Sequence, residues 1–254
     1  MREKIVAGNW KMNCDLAEME ELLGGLKNKA ESIPSDVKLM VAPSFTNLYP
    51  AFQSTKETSI TVVAQNMHQN ENGAFTGEVS PSMLKSVGVE TVILGHSERR
   101  SIFHESDELL AEKVNTALKH DMKVIFCFGE ELKDRKADKH FEVVKEQLQN
   151  GLFHIEASAW KNIVLAYEPV WAIGPGQTAP PETAQAAHAH CRVAVAGILG
   201  DEVSASVPLL YGGSVNPSNA GELLSQPDVD GALVGGASLT IENFGPILDA
   251  AQNA

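Results

Sequence analysis

A chain of 254 residues, 43% of them hydrophobic, has room for one large closed α/β core and no need of a second. Its 20 Lys plus Arg stand against 33 Asp plus Glu, a formal charge of -13, so most of its surface repels a phosphodiester backbone and nucleic acid is not an expected partner. The first apolar run stops after three residues at Gly8, too short for a secretory leader, and no stretch is long enough to span a membrane. Cys14, Cys127 and Cys191 form no C-x-x-C, and together these features predict a cytoplasmic protein with reduced thiols and no membrane partner.

In chain order, short β-rich runs fall at residues 5–7, 38–42, 60–64, 91–94, 123–127, 162–166, 207–211 and 232–234. Longer segments of helical spacing separate them: residues 15–31 carry Leu16, Met19, Leu22, Leu23 and Leu26, and residues 108–120 carry Leu109, Leu110, Val114, Ala117 and Leu118. The strand runs are continuously apolar, as in parallel strands covered by helices on one side and a core on the other. Eight such units of roughly 30 residues predict a closed (β/α)8 barrel over 1–254, in preference to a doubly wound open sheet. In a barrel, catalytic groups sit where strands end and the following loops begin.

The first strand ends in Gly8-Asn9-Trp10-Lys11. Asn9 and Lys11 are two apart, so an extended backbone would point both toward the barrel mouth, where lysine offers a compact positive charge to an anionic substrate. The fourth ends in Gly95-His96-Ser97-Glu98-Arg99-Arg100. A histidine at a helix start is biased toward its neutral form, and Glu98 is expected to be neutralised by Lys11, Arg99 or Arg100. The sixth ends in Glu168-Pro169, a carboxylate on constrained backbone, followed by a glycine-punctuated flap that would exclude water and strengthen it as a base.

Within that flap, Gly174-x-Gly176-x-x-Ala179 imitates a dinucleotide fingerprint, but six loop residues separate it from the strand and two prolines follow it. The seventh and eighth strands end in Tyr211-Gly-Gly-Ser214 and Val234-Gly235-Gly236, glycine pairs at the two loops that commonly hold a phosphate. The remaining histidines have no ligand spacing, and no metal is expected.

These motifs, with Ala166-Tyr-Glu168-Pro-Val-Trp-Ala-Ile-Gly174, resemble the triosephosphate isomerases along essentially the whole chain. The resemblance implies interconversion of dihydroxyacetone phosphate and glyceraldehyde 3-phosphate without a cofactor. Glu168 would be the base, His96 the group that polarises the carbonyl, and Asn9 and Lys11 sources of positive potential. Ser97, Glu98 and Cys127 would support them, and Gly174, Ser214, Gly235 and Gly236 would grip the phosphate.

The resemblance also implies a lid over 168–179, working through Pro169, Trp171, Pro175, Gly176 and Ala179 with Tyr211 and Glu130 as partners. Pro175 and Gln177 depart from the Thr and Lys common there. A homodimer is implied too, with a protruding loop at 65–78 that sets Phe75 and Thr76 against the partner near Cys14. Phe75, apolar between glycines, independently suits an interface. Three alternatives remain open: another barrel isomerase or lyase acting on a small sugar phosphate, a glycosidase using Glu98 and Glu168, and a silent binding barrel.

Overall fold

The computed structural model describes residues 2–173 and 178–254. Among them, eight parallel strands close a barrel in sequence order: β1 (Lys4–Asn9), β2 (Val37–Ala42), β3 (Thr61–Ala64), β4 (Thr91–Leu94), β5 (Lys123–Phe128), β6 (Ile163–Tyr167), β7 (Leu209–Tyr211) and β8 (Gly231–Val234). The fold is the expected (β/α)8 barrel. Closure comes where β8 returns to β1, with Ile5 opposite Gly231 and Gly8 opposite Val234. Gly231 has a φ of +144°, and a Cβ there would lie 1.8 Å from the Ile5 carbonyl oxygen, so this seam requires glycine.

Each strand is buried on both faces, which explains its unbroken apolar run. Ile5, Ala7, Met40, Ala42, Val63, Ile93, Ile125, Cys127, Val164, Ala166, Leu210 and Leu233 form one buried cluster. Their strand neighbours, among them Val6, Leu39, Val62, Val92, Val124, Leu165 and Leu209, join a second cluster with the helices. Helix Leu16–Ala30 shows how a helix is seated: Asp15 accepts the Glu18 amide while Glu18 accepts the Asp15 amide, and Met19, Leu22, Leu23, Leu26 and Ala30 turn inward at helical spacing. Helix Asp107–Lys119 is capped by Ser106 and buries Leu110, Val114 and Ala117.

Strand limits shift slightly from expectation. β7 begins at Leu209 and not at 207, because Val207 still closes the helix Asp201–Ser206 and Pro208 has no amide for the ladder. No helix among the described residues is long and apolar enough to cross a membrane.

Candidate active site

The C-terminal ends of the strands open on a cavity of about 450 Å³. Asn9, Lys11, His96, Glu168, Ser214, Gly235 and Gly236 all line it, so the residues singled out at the ends of β1, β4, β6, β7 and β8 meet in one place.

Glu168 is buried, and its backbone amide donates to the Phe128 carbonyl (2.8 Å), continuing the β5–β6 ladder one residue past the strand. One carboxylate oxygen, Oε2, accepts the Ser97 amide at 2.8 Å. The other, Oε1, stands 3.0 Å from His96 Nε2. Burial raises the Glu168 carboxyl above its usual range, and His96, the Ser97 amide, Lys11 and Arg100 hold it partly back. His96 caps helix Ser97–Ser101, with Nδ1 accepting the Glu98 amide at 3.2 Å. A nitrogen that accepts cannot carry the proton, so Nε2 bears it and the ring is neutral in this arrangement. Cys127, inside the barrel, has its thiol pushed well up by burial and by the charge of Glu168.

Lys11 reaches the cavity by a route its spacing did not suggest. Its φ is +53°, left-handed and not extended, and its amide donates to Asn9 Oδ1 at 3.1 Å. The Lys11 carbonyl accepts Gln65 Nε2 at 2.7 Å, and the same nitrogen donates to Ala42 at 2.8 Å, which pins the turn. Lys11 Nζ pairs with Glu98 Oε1 at 2.6 Å and passes over Gly235, where a Cβ would be 3.9 Å from it. Of the three cations weighed for Glu98, Lys11 is the partner; Arg99 pairs with Glu105 and Arg100 with Asp107.

The glycines divide their work differently from expectation. A Cβ on Gly212 would come within 2.8 Å of Glu168 Cγ, and one on Gly213 within 2.3 Å of the Tyr211 hydroxyl. The first pair therefore clears room for the carboxylate and for Tyr211 besides lining the cavity. Gly129, just past β5, makes way for the Glu168 backbone: its Cβ would overlap the Glu168 carbonyl oxygen at 1.7 Å. Gly129 and Gln65 carry no motif that marks them, since their partners are distant in sequence.

A sequence profile of the family described as Triosephosphate isomerase matches residues 4–251. The triosephosphate isomerase of Flavobacterium psychrophilum is 58% identical over 244 residues, covering 96% of this chain and 97% of that one. That of Flavobacterium johnsoniae is 57% identical over 250 residues, covering 98% and 100%. That of Porphyromonas gingivalis strain W83 is 47% identical over 254 residues, again covering 98% and 100%. The chain belongs to the triosephosphate isomerase family.

Where the family resemblance implies a lid, Trp171 Nε1 donates to Glu130 Oε1 at 2.7 Å, and the Arg135 guanidinium lies 4.8 Å from the Trp171 ring centroid. Glu130 also accepts the Tyr167 hydroxyl, at 3.0 Å to either oxygen. Pro169 precedes a 3-10 turn, Val170–Ala172, whose Ala172 carbonyl accepts the Ser214 amide at 3.0 Å. Ala179 is buried, as is Tyr211, whose hydroxyl burial pushes up to about 12. Gly174, Pro175, Gly176 and Gln177 lie outside the described residues.

At the expected interface loop, Phe75 is 42% exposed and its ring centroid lies 4.2 Å from that of His68. It thus leans on its own loop while keeping a large apolar surface in solvent. Thr76 is exposed, and Cys14 is half-buried at a φ of +67°.

Proposed function

We infer that the chain interconverts dihydroxyacetone phosphate and D-glyceraldehyde 3-phosphate by proton transfer through an enediolate. Membership of the family carries the reaction; the roles of the residues are our reading of the cavity. The observation that supports them best is the pairing of a buried carboxylate, raised in pKa, with a neutral imidazole whose proton faces it at 3.0 Å. Glu168 takes the carbon-bound proton and returns it to the neighbouring carbon. To reach the substrate it leaves the Ser97 amide and His96, which frees Nε2–H to hydrogen-bond the two substrate oxygens. Charge then develops on those oxygens beside Asn9 and Lys11.

The phosphate lies against backbone at Ser214, Gly235 and Gly236, where no Cβ stands over the glycine amides. Gly174 completes this grip when the lid over 168–179 closes, and Ser97, Glu98 and Cys127 brace the two catalytic side chains.

A homodimer fits the exposed apolar side chains. Met12 is 95% exposed, Ile102 65% and Phe103 62%, with Phe45, Tyr49, Phe75 and Met83 also in solvent. All follow β1 to β4, four neighbouring strands, so they share one sector of the barrel and suit a second copy seated there, with Phe75 and Thr76 against Cys14 of the partner subunit. Three unpaired cysteines agree with a cytoplasmic setting.

The test is conversion of each purified triose phosphate into the other, compared with Glu168→Asp. Withdrawing the carboxylate by one methylene should lower kcat by about 100-fold or more with KM far less affected. Turnover confined to a larger sugar phosphate would replace the substrate, and a loss expressed mainly in KM would move the base elsewhere.

A further inference from the structure

The loop that delivers His96 begins where the β4–β5 ladder stops. The last paired residues are Leu94 and Phe126, so the next rung would join Gly95 to Cys127. Gly95 turns away at a φ of +80°, and a Cβ on it would stand 2.6 Å from the Cys127 carbonyl oxygen. In place of that rung sits a side chain. Arg100 Nε donates to the Gly95 carbonyl at 2.7 Å, and a terminal nitrogen of the same guanidinium donates to the Cys127 carbonyl at 3.1 Å. The other terminal nitrogen pairs with Asp107 Oδ1 at 2.6 Å, and the group lies 5.6 Å from the centroid of the Phe126 ring.

We propose that Arg100 is a positioning residue for the reaction: its planar fork sets the spacing between the peptide before His96 and the end of β5. The proposal rests on the reading of His96 as the group that meets the substrate oxygens. The Gly95 carbonyl is one peptide from His96, and Cys127 is close enough to Glu168 for that carboxylate to raise its thiol. One guanidinium therefore spans the loop that carries the imidazole and the strand beside the base. Three donors in a fixed plane do what a point charge cannot, since an ammonium can meet one carbonyl or Asp107 but not hold all three in register. The Ser214, Gly235 and Gly236 side of the cavity receives no contact from it, so substrate affinity should be spared.

The experiment uses Arg100→Lys, which keeps the charge and removes the fork, alongside Asp107→Ala, which releases the outer anchor of the guanidinium. Two ligands separate positioning from general damage: 2-phosphoglycolate, whose planar carboxylate mimics the enediolate, and glycerol 3-phosphate, which offers a phosphate and no such plane. For Arg100→Lys, kcat should fall about 10-fold or more with KM within about threefold, and 2-phosphoglycolate should weaken by about the factor lost in kcat. Binding of glycerol 3-phosphate should stay unchanged.

The proposal is overturned if kcat is retained, or if both ligands weaken equally. If Arg100→Lys does not fold, Asp107→Ala decides alone: a fall in kcat with glycerol 3-phosphate binding intact supports the proposal, and an unchanged kcat refutes it. His96→Gln measured in parallel keeps the two readings apart. If that variant retains full turnover, the role given to His96 fails. If it is impaired while Arg100→Lys is not, only the role of Arg100 fails.

Discussion

His188 lies behind the strands that carry the site and supplies a test with a definite magnitude. It is fully buried on helix Pro181–Leu199, between the rings of Tyr167 and Tyr211 at 5.8 and 6.3 Å, with Nδ1 donating to the Asp228 carbonyl at 3.1 Å. Burial lowers its pKa from the usual 6.5 to about 4, the carbonyl contact offsetting only part of that. Between these values the unfolded chain binds a proton that the folded chain refuses, so stability falls as pH drops below 6.5 and is intact above it. At pH 5, one and a half units below the unfolded midpoint and still above the folded one, the loss is about 2 kcal/mol at roughly 1.4 kcal/mol per unit.

His188→Asn keeps a donor near the Asp228 carbonyl and cannot titrate. Urea unfolding of both proteins at one protein concentration, at pH 7 and pH 5, should show the parent losing about 2 kcal/mol more than the variant across that interval. The comparison of intervals removes whatever the substitution costs at pH 7. Equal losses in the two proteins would mean that His188 is protonated in the fold without penalty, and the burial argument would be wrong.

His96→Gln should retain cooperative thermal unfolding while kcat drops by about 100-fold or more, since the imidazole N–H held rigidly for the developing oxyanion is replaced by a flexible amide that does not point there; loss of cooperative unfolding would make His96 structural. Trp171→Phe deletes the donor to Glu130 but keeps a ring under Arg135, so the state observed here should weaken by about 1 to 2 kcal/mol. Calorimetry should then find tighter binding of 2-phosphoglycolate, and unchanged binding would show that this contact does not hold the lid open. Thr76→Glu, a charge at the expected interface, should lower both the sedimenting mass at micromolar protein and the activity; a parent-like profile with full turnover would remove that loop from the interface.

The barrel was legible because parallel strands buried on two faces leave runs that no amphipathic helix leaves, and the apolar spacing at 15–31 and 108–120 located the helices Leu16–Ala30 and Asp107–Lys119 to within a residue, while their caps Asp15 and Ser106 went unmarked. Glu168 and His96 were legible because a strand end followed by proline, or preceded by glycine, marks a presented side chain. What could not be read is contact between segments. In the sequence Arg100 stood only as one of three cations for Glu98, and only the closed barrel brings the Cys127 carbonyl to its side. Gly212 read only as half of a phosphate-loop pair and Gly129 carried no signal, yet the missing side chains of both make room for Glu168. The left-handed Lys11 escaped the two-residue alternation because a side chain from another loop, Gln65, holds its carbonyl.

A chain of net charge -13 that takes a phosphorylated substrate must solve a second problem, because Glu168, the base we propose, is itself an anion. Lys11, the only Lys or Arg among the described residues that line the cavity, is half committed to Glu98, so side-chain charge alone does not offset both phosphate and carboxylate. The resting contacts of Glu168 answer this on our reading of the site. Burial raises its pKa, whereas His96 and the Ser97 amide lower it while the carboxylate rests against them. Moving to the substrate abandons those two contacts, which on this reading strengthens the base when it is engaged. The Nε2–H it leaves behind becomes a donor at the place where negative charge will next appear. One displacement would therefore raise the basicity of Glu168 and arm His96 together, and the resting contact that holds the two side chains 3.0 Å apart is what couples the two events.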